Sequence, residues 1–345
     1  MERKITLSQK QLNTYGIMQK YIEGAITRER TAEILGISQR QVTRKKKGII
    51  KHGAESLIHK NTGRKPAHTT KKEMAEEILK IFGEPINEGI NFSHFQDILV
   101  DEHAITVSYT CLYNILKRAG KESPRSKKHK EKQYRRRERK EHPGELLQID
   151  ATPYDWVGTG IKYSLHGAID DATGNIFGLY MCKNECLHGY LEMMRDGITT
   201  VGVPQTLYSD KHTIFRSPKT GKLTVEEIIN GKQVNLTQFG RAMNELGIDI
   251  IYADSAQAKG RVERMWNTLQ DRLPVEFRRK GISSVEETNE FLSMKYIKKF
   301  NEKFAVSAKG ASLFIPLRED INIDTILCIK QPRKLQKRHR NKKML

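Results

Sequence analysis

Three carboxylates, Asp150, Asp210 and Glu263, each stand where a predicted element ends or begins. Asp150 lies in Leu146-Leu147-Gln148-Ile149-Asp150-Ala151-Thr152, which alternates as a strand does. Leu147, Ile149 and Ala151 fall on its inward face and Asp150 on the other. Asp210 closes a second predicted strand, Pro204 to Asp210. Glu263 belongs to Ala256-Gln257-Ala258-Lys259-Gly260-Arg261-Val262-Glu263-Arg264-Met265-Trp266, which follows the β-branched run Gly247 to Ala253. There Val262, Met265, Trp266, Leu269 and Leu273 recur at helical spacing as a core stripe, with Asp254 or Ser255 as the helix cap. Lys259, Glu263 and Asn267 form a neighbouring stripe. A carboxylate on a rigid helix at the edge of a buried face suits a metal ligand, because hard cations take oxygen donors. The same Lys259–Glu263 spacing also fits an ordinary surface ion pair.

Other acids compete for such a role. Asp170 and Asp171 fall in a predicted hairpin turn, where aspartate bonds locally to backbone. Asp155 reads as a loop residue beside Trp156, and Asp254 as a helix cap. Cys182 and Cys186 have only His188 nearby and lack a second ligand pair at zinc-like spacing; they read as buried free thiols, as do Cys111 and Cys328.

The elements that must position the carboxylates follow in chain order. Strands are expected at 146–152, 163–170 and 176–181, a helix through Leu187, Leu191, Met194 and Ile198, and a strand at 204–210. A helix at 237–246, a strand at 248–253 and the long helix complete the set. That order makes a sheet with an antiparallel edge and parallel additions, flanked by helices. Residues 282–304 read as a supporting helix capped by Ser284.

Upstream, residues 1–60 read as a helical unit. Gly36 ends one short helix, and Ser38 with Gln41 forms a capping box that starts the next, a helix-turn-helix pattern packed by Ile34, Leu35, Ile37 and Val42. Gln39, Arg40, Thr43, Arg44 and Lys45 would then face a DNA groove or its phosphates. Residues 71–120 read as a second, less basic helix-turn-helix-like unit, and 121–142 as a basic linker containing Arg135-Arg136-Arg137. The formal charge of +20 over 345 residues calls for a polyanion partner, most simply double-stranded DNA. No apolar run is long enough to span a membrane, and no apolar leader precedes the chain, so a cytoplasmic, nucleoid-associated protein is expected.

Gln148-Ile149-Asp150, Leu207-Tyr208-Ser209-Asp210 and Ser255-Ala256-Gln257-Ala258-Lys259-Gly260-Arg261-Val262-Glu263-Arg264, in this element order, resemble the RNase H-like core of DDE transposases and retroviral integrases. The last stretch is similar to the SPQAKGRVER signature of bacterial insertion-sequence transposases, the ISNCY-like group in particular. The resemblance covers about 143–305 and implies an α/β RNase H-like catalytic core at 143–281, with a five-stranded mixed sheet flanked by helices, preceded by the all-α helix-turn-helix units. The chain departs from the pattern in the long path between Asp210 and Glu263, with an insertion near 215–236, and in a helix-turn-helix where integrases carry a zinc module. Ile321 to Ile329 is expected to begin a small β-domain within a short, basic and truncated region, 282–345.

The resemblance implies a bacterial, Mg²⁺-dependent transposase that cuts element ends to expose a 3′-hydroxyl and joins it to target DNA. Asp150 would bridge two Mg²⁺ ions, for which Mn²⁺ can substitute, and Asp210 and Glu263 would hold one each. Lys259 would face the DNA backbone, with Arg261 and Arg264 on phosphate or a neighbouring subunit. Synapsis of two ends implies a homo-oligomer on DNA. The competing readings are an inactive or domesticated transposase that only binds DNA, a nuclease that cuts without joining, and a non-enzymatic polyanion-binding protein.

Overall fold

The computed structural model describes residues 7–59, 61, 70–124, 138–217, 236–253 and 259–331. Arg135, Arg136 and Arg137, the caps Asp254 and Ser255, Ala256 to Ala258 and most of the 215–236 insertion lie outside the described residues. The chain divides into two compact units, Met1–Lys71 and Lys72–Leu345.

The first unit is built on α1 (Gln9–Ile22), α2 (Arg28–Leu35) and α3 (Gln39–His52). Ser8 with Gln11, and Ser38 with Gln41, close reciprocal capping boxes that satisfy the free amides at the helix starts. Gly36 ends α2 in the left-handed conformation, φ 61°, so the next helix begins three residues later. Met18, Val42 and Ile49 form the core, with Leu35 and Ile37 packed against it. Ile34 does not join that core and is 47% exposed. It precedes Leu35 by one residue, about 100° round the helix, and so points away.

In the second unit β1 (Leu147–Tyr154), β2 (Tyr163–Asp170), β3 (Ile176–Cys182), β4 (Thr206–Ser209) and β5 (Asp249–Tyr252) form one sheet in the order β3-β2-β1-β4-β5. β1, β2 and β3 pair antiparallel, whereas β4 and β5 run parallel to β1. α7 (Leu187–Thr200) and α8 (Gln238–Glu245) cover one face, packing Tyr190, Met194 and Phe239 onto Leu147, Ile149 and Leu207. α9 (Gly260–Lys280) covers the other, placing Val262, Met265, Trp266 and Leu269 on Leu165, Ile169 and Leu179. α10 (Val285–Phe291), a π turn at Leu292–Tyr296 and α11 (Ile297–Phe304) extend this second layer. This is the expected RNase H-like layout, a mixed five-stranded sheet between two helical layers.

Two regions differ from expectation. α4 (Lys72–Phe82), α5 (Phe92–His103) and α6 (Tyr109–Arg118) share a core that includes Val275 of α9. The acidic face of α5 is committed to the helix layer that covers the sheet: Asp97 pairs with Arg272 at 2.7 Å, Asp101 with Lys299 of α11 at 2.9 Å and Glu102 with Arg279. Residues 72–118 thus belong to the same compact unit as the sheet. Ile321 to Ile329, expected as β structure, contains the helical turn α12 (Ile323–Ile326). The Asn322 side chain accepts from the Asp324 amide and closes that turn, and Leu327 is buried in the first layer. Among the described residues no helix is long and apolar enough to cross a membrane.

Candidate active site

Gln148 and Asp150 are two apart on β1 and therefore project to the same face of the sheet, toward α9. α9 has no side-chain cap of its own. Its first turn is held by Gln148, whose Oε1 accepts from the amides of Arg261 and Val262, both at 3.2 Å. These are donors that a helix start otherwise leaves unsatisfied. The Gln148 amide donates in turn to Asp171 at 2.8 Å, and Asp171 accepts from Arg261 Nε at 2.8 Å. Asp171 is fully buried and also takes the Lys140 amide at 2.9 Å. Asp170 accepts from Gly144 and Thr173. Asp170 thus bonds largely within its turn, whereas Asp171 reaches far outside it to anchor the helix.

Docking of α9 brings Trp266 and Lys259 onto Asp150. The indole N–H donates to Asp150 Oδ2 at 3.0 Å, and the Lys259 ammonium lies 2.8 Å from Oδ1. The same ammonium is 3.7 Å from Oδ2 of Asp210, just beyond β4. Asp210 Oδ1 accepts from the His212 amide at 2.9 Å. Lys259 is only 7% exposed, so it neither faces solvent nor pairs with Glu263. Glu263 sits exposed in the first turn of α9, where the helix dipole favours a carboxylate. The structure brings Asp150 and Asp210 together on one cation; among the described residues, no three of His, Cys, Asp and Glu gather closely enough to share an ion.

Close approach of α9 depends on Gly167, which pairs with Asp150 across β1 and β2. A Cβ there would lie 2.6 Å from the Trp266 ring and 2.9 Å from the Met265 methyl. Gly167→Ala is expected to cost about 1–3 kcal/mol through overpacking and to disturb the Trp266–Asp150 bond. Thermal unfolding together with tryptophan emission measures this. An unchanged melting temperature and spectrum would mean that the helix and sheet have slack here.

On the opposite face, Tyr190 donates to Glu185 at 2.8 Å. Burial pushes its phenol far up, reinforced by the charges of Glu185, Asp150 and Asp210, so Tyr190 stays protonated. Burial also lowers His166 to about 4; its Nε2 accepts from the Cys186 amide at 3.1 Å, a structural rather than acid–base role.

Arg261 faces inward to Asp171, while Arg264 is exposed. Together with Arg139, Phe300 and Phe304 they line a cavity of about 180 Å³. Burial lowers Arg139, as do the neighbouring charges of Arg261 and Arg264. In the first unit Gln39, Arg40 and Arg44 are exposed on α3, and Thr43 and Lys45 are half-buried. The Thr43 hydroxyl donates to the Gln39 carbonyl at 3.1 Å.

Residues 16–66 match the family described as a helix-turn-helix domain. The chain is 33% identical over 326 residues to the transposase for insertion sequence IS1202 of Streptococcus pneumoniae, covering 86% of this chain and 68% of that protein. The chain belongs to the insertion-sequence transposases. A second relative of this transposase is y4bF of Sinorhizobium fredii, itself designated a transposase, at 34% identity over 95% of this chain and 70% of that protein. The integrase catalytic core of HTLV-2 in complex with magnesium aligns with 44% of the transposase chain and 84% of its own at 18% identity, TM-score 0.30; so distant a likeness says nothing of its chemistry.

The residues that sequence reasoning missed in this transposase are Gln148, Asp171, Trp266 and Gly167 as parts of the site. Only Gln148 carried a signal, since a polar residue two before Asp150 on one strand face must meet whatever covers that face. A divalent ion fits the donor set: Asp150 and Asp210 are hard oxygen donors that already share a cationic group, the Lys259 ammonium.

Proposed function

We propose that this transposase binds the double-stranded ends of its element through α1–α3 and transfers phosphoryl groups on DNA at Asp150, Asp210 and Glu263. The observation that carries this reading is the convergence of Asp150, within β1, and Asp210, just past the end of the parallel neighbour β4, on a single positive charge. Two Mg²⁺ ions, when bound, would polarise the phosphodiester and make a water or 3′-hydroxyl nucleophilic at neutral pH. Asp150 and Asp210 would hold them, and the Trp266 N–H keeps Asp150 Oδ2 oriented. Gln148 fixes the first turn of α9 and with it the backbone that carries Glu263. Glu263 would complete the ligand set. Gln39, Arg40 and Arg44, with Thr43 and Lys45 behind them, serve the DNA-reading face, and Arg139 and Arg264 offer charge to phosphate beside the site. The 3′-end cleavage and strand transfer implied by the motif use the same residues in both steps. Holding two ends at once requires at least two copies of the chain.

One observation favours a second reading, a transposase that binds ends without cutting them: Glu263 is not gathered with the two aspartates. Incubating the chain with end-labelled element DNA and Mg²⁺, beside Asp150→Asn and Glu263→Gln, separates the two. Metal-dependent nicking at the ends and joined products, both abolished in the variants, are expected. Specific binding with no cut strand would select the second reading, and cleavage surviving in both variants would remove these residues from the chemistry.

A further inference from the structure

Lys259 is where a cation belongs, and it is part of the chain. We propose that the Lys259 ammonium is the resident cation of the Asp150–Asp210 pair, and that a divalent ion loads only by displacing it. This rests on the reading of the two aspartates as metal ligands. Lysine is almost never this buried unless paired, and here the pairing is with the two carboxylates at 2.8 and 3.7 Å. The contact is not a by-product of holding the helix. Lys259 occupies the N-cap position of α9, yet the capping is done by Gln148, so the first turn stays pinned when the ammonium leaves. Asp150 Oδ2 is taken by Trp266, which leaves Oδ1 as the oxygen that changes partner. An ammonium on Oδ1 and a divalent ion on the same oxygen exclude one another by volume and by like charge. Lysine suits the exchange because its charge is compact and its four-carbon stem flexible. The pair thus keeps one positive charge against its two carboxylates within the folded chain, and the apparent metal affinity is set by competition with a group fixed at the site.

Terbium(III) titration of the full chain, with emission sensitised by tryptophan, tests this, because the Trp266 N–H lies 3.0 Å from a carboxylate oxygen of the site. Lys259→Met and Lys259→Gln, which keep most of the length of the side chain without its charge, are expected to lower the midpoint about tenfold or more. Mg²⁺ should reverse the signal in each. Circular dichroism and thermal melting confirm that the variants are folded. An unchanged or raised midpoint in both variants, with the signal still lost in Asp150→Asn and Asp210→Asn, would overturn the displacement by Lys259 alone. A wild-type signal in Asp150→Asn and Asp210→Asn would instead remove the aspartates as ligands, and the proposal with them.

Discussion

Asp171→Ala is expected to remove about 3–5 kcal/mol from the stability of the Lys72–Leu345 unit. Asp171 is fully buried, and its two oxygens accept from Arg261 Nε, Gln148 Nε2 and the Lys140 amide. Truncation leaves the Arg261 guanidinium, 14% exposed, without its counter-charge. It also leaves the Gln148 amide without its acceptor, and Gln148 is the group that caps α9. Urea denaturation followed by tryptophan fluorescence measures the loss. Most of the cost is the stranded charge rather than the net value of the pair, so Arg261→Met in the same chain should recover part of it. A loss below about 1 kcal/mol would mean that water reaches Arg261 and that the anchor is weak.

The second large effect is with pH. His94 and Glu276 are buried together, with Nε2 and Oε1 2.9 Å apart. Burial alone would raise Glu276, but the His94 hydrogen bond and the Lys299 charge outweigh it and hold the carboxyl down to about 2, against its ordinary 4.5. Burial lowers His94 despite the pull of Glu276, so the ring is neutral and its Nε2–H donates. A carboxyl depressed in the fold stabilises it above the unfolded value, and that contribution drains away as pH falls from about 4.5 toward 2. A histidine lowered in the fold works in the same direction, because the unfolded chain gains its proton first as pH drops below 6.5. Acid therefore loosens α5 from α9. The Glu276 part is worth about 3 kcal/mol. In Glu276→Gln, stability measured by urea unfolding should fall near neutral pH and lose the Glu276 share of its slope between about pH 4.5 and 2, while the depressed Asp97 and Glu102 keep theirs. A wild-type slope in the variant would place the acid sensitivity elsewhere.

The parts of this chain legible from sequence are those written in local spacing. The capping box at Ser38, the cap Ser284 and the alternation of β1 each need only a few neighbouring residues, and each stands in the structure. What could not be read depends on partners far along the chain. Gln148 meets α9 113 positions away, and Asp171 meets Arg261 90 positions away. The stripe through Lys259 and Glu263 was visible, but not that Lys259 turns inward to Asp150. The acidic side of α5 carries no local sign of its role, because its basic partners, Arg272, Arg279 and Lys299, lie 175 or more positions further along the chain. At Ile321–Ile329 the resemblance led to the expectation of a β-domain, and the Asn322 cap with packing on the first layer makes a helical turn instead.

The double service of β1 has a consequence for assembly. One strand supplies both Asp150 and, two residues earlier, the group that seats the helix carrying Glu263. Slide β1 by a single position and every side chain changes face: Ile149 and Leu147 would meet the bare amides of α9, while Gln148 and Asp150 would be driven into the apolar layer under α7. Such a chain has neither a seated helix nor paired aspartates, and nothing to gain from closing. The strand thus acts as its own error check, since only the correctly aligned sheet can receive the long helix, and a half-built centre has no means of becoming a faulty one.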